Sequence, residues 1–95
     1  MEQTEPASKS SELGVSVQGV LGSVIGQKRA AKNIRQIDIA NALGLTVSTW
    51  SRIERGESAV TLEQLVLVSE LLEEPLSRLF AETEVQMKNL LDQGV

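Results

Sequence analysis

Cysteine, histidine and tyrosine are all missing from the chain's 95 residues. Without cysteine no disulfide scaffold exists, and a reducing, cytoplasmic compartment is the natural expectation. Without histidine and cysteine the commonest general base, the thiolate nucleophile and the usual transition-metal ligands are gone. Carboxylates are plentiful but fall at helical spacings that read as solvated faces. An enzyme and a transition-metal site are therefore not expected, and no small-molecule substrate is evident. No apolar run approaches the ~18 residues that a membrane span needs, so no membrane partner is expected. The opening "MEQTEPASKSSELG" lacks a basic start followed by an apolar block and does not read as a secretory signal. The length suits one domain, and a chain of this size buries roughly 60% of its unfolded surface.

Basic charge is scarce overall, at nine Lys and Arg against thirteen Asp and Glu, for a net charge of -4. Its distribution is uneven. Between residues 27 and 55, Lys28, Arg29, Lys32, Arg35, Arg52 and Arg55 face only Asp38 and Glu54, giving +4. Residues 56–95 carry two cations against eight anions, or -6, and residues 1–26 one against three, or -2. A basic block thus sits inside an acidic chain, and local sign matters more than the total for a surface that meets phosphates.

Residues 1–14 are polar and read as a mobile tail. In "SVQGVLGSVIGQKRAAKN", Val17, Val20, Leu21, Val24 and Ile25 recur at helical steps. A strand through Val15 and Val17 is the rival reading, and Gly19, Gly22 and Gly26 each weaken a helix by up to about 1 kcal/mol. Helix is preferred because the stripe persists, with Asn33 as a left-handed stop. "RQIDIANALG" is a short helix with Ile37, Ala40 and Leu43 on one stripe, Ile39 beside it, and Gly44 as its stop. "LTVSTWSRIERG" follows at once, capped by Thr46 and stopped by Gly56. Two short helices joined by so tight a turn form a helix-turn-helix unit. "TLEQLVLVSELL" starts at Thr61, and Pro75 opens "PLSRLF". Beyond Phe80 the apolar positions are uneven. Residues 81–95 are read as an extension of the last helix, a segment packed on a partner chain, or a frayed tail.

Taken together, "IANALGLT", "SRIERG" and their spacing to "TLEQL" and "LSRLF" resemble the phage repressor/Cro-type (XRE-like) helix-turn-helix domain of transcription regulators. The resemblance spans roughly Val17 to Phe80, within a domain bounded at 15–80. It implies an all-α fold, a compact bundle of about five helices like that of lambda-repressor-type DNA-binding domains. It also implies sequence-specific binding of double-stranded DNA, generally as a homodimer on a (pseudo)palindromic operator, with no cofactor.

On that resemblance, the third helix, about 47–55, enters the major groove with its N-terminal residues at the base edges. One side of it carries Trp50, Ile53 and Glu54; the other carries Val47, Ser48, Ser51, Arg52 and Arg55. Trp50 falls where the family holds an aliphatic core residue and is read as core, with Ala40 and Ala42 as small neighbours; the rival is a stacking tryptophan. Arg52 is the first candidate for reading a guanine, with a phosphate contact as alternative. Val47, Ser48 and Ser51 are further base-readout candidates. Gln36, Thr46, Thr49, Lys32, Arg35 and Arg55 are candidates for the DNA backbone, Thr46 being a helix cap first. Arg29 and Glu54 match the family's internal ion pair between the first and third helices.

The sequence departs from the family where Arg35 replaces a Ser or Thr cap, where Glu73 replaces a common glycine, and in having few long polar residues on the third helix. That makes dimerisation more necessary. The apolar residues of the acidic half exceed what one small core needs, and Leu76, Leu79, Phe80 and Met87 are expected at a two-fold interface. Two alternatives are a protein-interaction module that keeps the bundle without reading DNA, and an antitoxin that represses its own operon.

Overall fold

A computed structural model describes residues 16–93. Among them lie five helices and no strand: α1 Val17–Ala31, α2 Gln36–Ala42, α3 Val47–Glu54, α4 Leu62–Leu72 and α5 Leu76–Gln93. The all-α bundle is therefore present, and Val17 is helical rather than extended. The expected tail, residues 1–14, lies outside the described residues.

Hydroxyl side chains set three helix starts. Ser16 Oγ accepts the Gly19 N–H at 2.9 Å and Thr46 Oγ1 that of Thr49 at 3.1 Å. At α4, Thr61 Oγ1 accepts from the Gln64 N–H at 3.1 Å while Gln64 Oε1 accepts from the Thr61 N–H at 2.9 Å, a reciprocal capping box. Arg35, ahead of α2, makes no side-chain cap, and Asp38 places its charge in the first turn instead.

Four helices end alike. Asn33, Gly44, Gly56 and Glu73 take φ of 60°, 72°, 78° and 54°. The next N–H then reaches back over the turn: Ile34 to the Arg29 carbonyl at 3.2 Å, Leu45 to Ala40 at 2.9 Å, Glu57 to Arg52 at 2.8 Å and Glu74 to Ser69 at 3.0 Å. These bonds satisfy carbonyls that each helix end leaves open.

The core gathers Val20, Leu21, Val24 and Ile25 of α1, Ile39 and Ala40 of α2, Trp50 and Ile53 of α3, Leu65, Val68 and Leu72 of α4, and Leu79 of α5. Two sequence expectations are corrected here. Ile37 is 42% exposed whereas Ile39 is at 1%. The inward stripe of α2 is Gln36, Ile39, Ala40 and Leu43, and its polar first member hides it from a count of apolar residues. Ala42 is exposed, so only Ala40 shares the interior with the indole.

The glycines of α1 are points of close approach. Gly22 is buried, and a Cβ there would lie 2.1 Å from the Ile53 carbonyl oxygen. One on Gly56 would lie 2.5 Å from Gly19 Cα. The side of α1 bearing these residues therefore seats the C-terminal end of α3.

Helix α5 runs through Phe80 without interruption and packs along α1. Thr83 is buried and donates its hydroxyl to the Leu79 carbonyl at 2.8 Å, and Lys28 Nζ meets Glu82 Oε2 at 2.7 Å. The expectation of Leu79 at an interface between chains is corrected: the side chain is fully enclosed in the monomer core. Leu76 and Met87 are half-buried against that core, and Phe80 is exposed. No helix among the described residues is long and apolar enough to cross a membrane.

Candidate nucleic-acid interface

The α2–α3 turn is short because Gly44 reverses the chain in the left-handed region, and Thr46 then caps α3. Packing of Trp50 and Ile53 fixes how α3 is rotated. With both enclosed, at 0% and 2% exposure, the opposite side must face outward. Val47, Ser48, Arg52 and Arg55 are exposed there; Thr49 and Ser51 are half-buried at its margin. Thr46 is exposed at the cap, and its hydroxyl also donates to Thr49 Oγ1 at 3.0 Å.

Behind α3, one carboxylate joins three helices. Glu54 Oε2 accepts from Arg29 Nε at 2.5 Å and from Trp50 Nε1 at 2.6 Å. Its Oε1 accepts from Arg29 Nη2 at 3.1 Å and from Gln36 Nε2 at 2.9 Å. Arg29 Nη1 donates onward to the Ile34 carbonyl at 2.6 Å, which ties in the α1–α2 turn. The ion pair is largely enclosed, with side-chain exposures of 16% and 11%. Burial pushes the Glu54 carboxyl upward, but hydrogen bonds from Arg29, Gln36 and Trp50, with the Arg29 charge, outweigh it and hold the group below its ordinary value.

The tryptophan bond was not foreseen in the sequence. Trp50 and Glu54 stand four residues apart, which is the available signal. Reading Trp50 as core describes the ring but omits its N–H, which a buried indole must still place. Gln36 is half-buried and turned toward Glu54 rather than extended into solvent.

The candidate cations divide into two groups. Arg35 is held by Asp38, Nε to Oδ2 at 2.8 Å and Nη2 to Oδ1 at 3.0 Å. Arg55 is held by Glu57, Nε to Oε2 at 3.0 Å and Nη2 to Oε1 at 3.1 Å, and also donates Nη1 to Ser51 Oγ at 2.5 Å. Asp38 and Glu57 both titrate below their ordinary values because of these hydrogen bonds. Lys32 and Arg52 are exposed and make no ion pair among the described residues. No group of three or more acidic side chains there is arranged to hold a metal ion.

A helix-turn-helix family model matches residues 25–79, more than half of the chain and all of α2 through α4. Two crystal structures of the clp gene regulator ClgR from Corynebacterium glutamicum are similar. One superimposes with a TM-score of 0.78 at 24% identity, over 82% of this chain and 83% of that one. The other gives 0.71 at 25% identity, over 76% and 94%. No curated protein sequence matches.

Proposed function

The chain belongs to the helix-turn-helix family, and on that premise we propose that it is a DNA-binding regulator of transcription. In this reading α3 lies in the major groove. The observation that carries it is the division of α3: Trp50 and Ile53 are sealed inside, so Val47, Ser48 and Arg52 are held outward on a rigid support. Arg52 offers its fork to a guanine, Ser48 and Ser51 offer hydroxyls, and Val47 offers methyl groups to a thymine. Thr46, Thr49, Lys32, Arg35 and Arg55 are the proposed contacts to the sugar–phosphate backbone. Gln36 donates one amide hydrogen to Glu54, which leaves the other to donate to a phosphate in this reading.

A single α3 covers only a half-site, and its short side chains offer few contacts. The working unit is therefore a homodimer on a (pseudo)palindromic operator, with two α3 helices about 34 Å apart. Helix α5 supports this. It leaves Phe80 43%, Val85 58% and Leu90 42% exposed, and Val85, Met87 and Leu91 border a groove of about 540 Å³. Selection of bound duplexes from a random pool tests the reading. Enrichment of two inverted half-sites about 10 base pairs apart supports it. A single unrepeated motif removes the dimer, and no enrichment in dilute buffer removes DNA binding itself.

A further inference from the structure

The helix-turn-helix holds its own anions beside its own cations. We propose that Asp38 and Glu57 act as built-in counter-ions that withhold Arg35 and Arg55 from DNA phosphates and so limit the domain's affinity. The proposal rests on the DNA-binding reading above and adds affinity-setting residues to it.

The geometry is the same at both places. Each guanidinium presents its Nε and Nη2 edge to both oxygens of one carboxylate. That edge is one of the two through which a guanidinium holds a phosphate by two parallel hydrogen bonds. Carboxylate and phosphate therefore compete for one edge, and they cannot both occupy it. Arg55 is further committed through Nη1 to Ser51, a member of the candidate reading side.

Both pairs are strongly exposed, with side-chain exposures of 74% and 49% for Arg35 and Asp38, and 54% and 55% for Arg55 and Glu57. Exposed pairs stabilise a fold little. The fold thus gives little reason for Glu57, in contrast to enclosed Glu54, while Asp38 also places its charge in the first turn of α2. They sit at the two ends of the unit: Asp38 in the first turn of α2 and Glu57 just after α3. Lys32 and Arg52 are in neither pair, although the Arg52 charge also acts on Glu57.

While its carboxylate stays in place, a paired arginine neutralises no phosphate and releases no condensed cation from the DNA. Freeing the arginine restores one phosphate contact. That adds about 0.9 to the slope of log Kd against log salt concentration.

The experiment uses the full chain and a random-sequence 24-base-pair duplex, titrated from low to moderate potassium chloride. The proteins are wild type, Glu57→Gln, Arg55→Ala, the Glu57→Gln/Arg55→Ala double variant, and Glu63→Gln. Glu63 is exposed on α4 and in no ion pair among the described residues, so its variant changes net charge equally. The expected result is a roughly 3- to 10-fold tighter Kd and a slope steeper by about 0.9 for Glu57→Gln, with the gain below about twofold in the Arg55→Ala background and for Glu63→Gln. Asp38→Asn, tested against Arg35→Ala, repeats the cycle at α2.

A gain that persists without Arg55, or that Glu63→Gln matches, means simple charge repulsion and overturns the proposal. No gain from Glu57→Gln overturns it as well. If the wild type binds and these variants behave so, only this inference is lost. If the wild type ignores the duplex at every salt concentration, the DNA-binding reading falls with it.

Discussion

At the scale of single residues, Glu54 does the most to fix the site. It takes hydrogen bonds from Arg29, Gln36 and Trp50, so one side chain sets the mutual positions of α1, α2 and α3. Replacing it with glutamine leaves Arg29 enclosed without its counter-charge. Glu54→Gln is expected to lower the unfolding free energy by about 3 kcal/mol in urea titration. The pH dependence follows from the lowered carboxyl. The folded state binds this proton less readily than the unfolded chain, whose ordinary value is 4.5. The stability it contributes is in place above that value and is lost as pH falls through the lower folded value. Wild-type melting temperatures should therefore drop below about pH 4.5, and Glu54→Gln should flatten part of that drop. Equal pH profiles for the two proteins would contradict the role. Of this hub, the Arg29–Glu54 partnership is suggested by family resemblance, while the Trp50 bond goes unseen. A tryptophan among small residues announces burial, but its N–H leaves no mark on a hydropathy pattern.

At the scale of elements, the five helices are legible because each carries local punctuation. Thr46 and Thr61 cap, Gly44, Gly56 and Asn33 stop, and the apolar stripes of α1 and α4 are dense. What escapes is anything set by the partner helix. Helix α2 is too short for its stripe to be unique, so Ile37 competes with Ile39 until Gln36 is seen to turn inward. Helix α5 looks uneven past Phe80 because Thr83 is buried and Gln86 half-buried at positions where an apolar residue is sought. The glycines of α1 look like weaknesses because propensity counts only the helix that contains them. Gly22→Ala separates the two views by sign. Propensity alone makes alanine stabilising by about 0.8–1 kcal/mol. The seat for Ile53, where a Cβ would come within 2.1 Å of a backbone oxygen, makes it destabilising by about 1–3 kcal/mol, read from denaturant midpoints.

At the scale of the whole molecule, charge and apolar surface are segregated. Of the basic block of residues 27–55, Arg35, Arg52 and Arg55 belong to the helix-turn-helix, Lys28 and Arg29 lie on α1 paired with Glu82 and Glu54, and Lys32 follows α1; most of the anions lie on α4 and α5. In the proposed reading this polarity would turn the helix-turn-helix toward phosphate and the acidic helices away, and it is suggested by charge order in the sequence. The site's outward residues are legible to the same degree as the position of Trp50, since burying that ring determines which residues remain outside. The partner surface is less legible: Leu79 has the same apolar character as Phe80, and only packing separates core from surface. For the proposed dimer, Phe80→Glu places a charge on exposed α5 without entering the core. Sedimentation at micromolar concentration should give a dimer for the wild type and a monomer for Phe80→Glu, with unchanged helical content. A dimer that survives the substitution moves the interface elsewhere. The central claim is that α3 shows a duplex its hydroxyl and arginine side while the indole stays enclosed. Its most direct test is the affinity of Arg52→Ala for the selected operator and for each of its single-base-pair variants. The account predicts a loss of about 1–3 kcal/mol on the operator and lost discrimination at one base pair of each half-site. An Arg52→Ala protein that binds every variant with the wild-type pattern of preferences would contradict it.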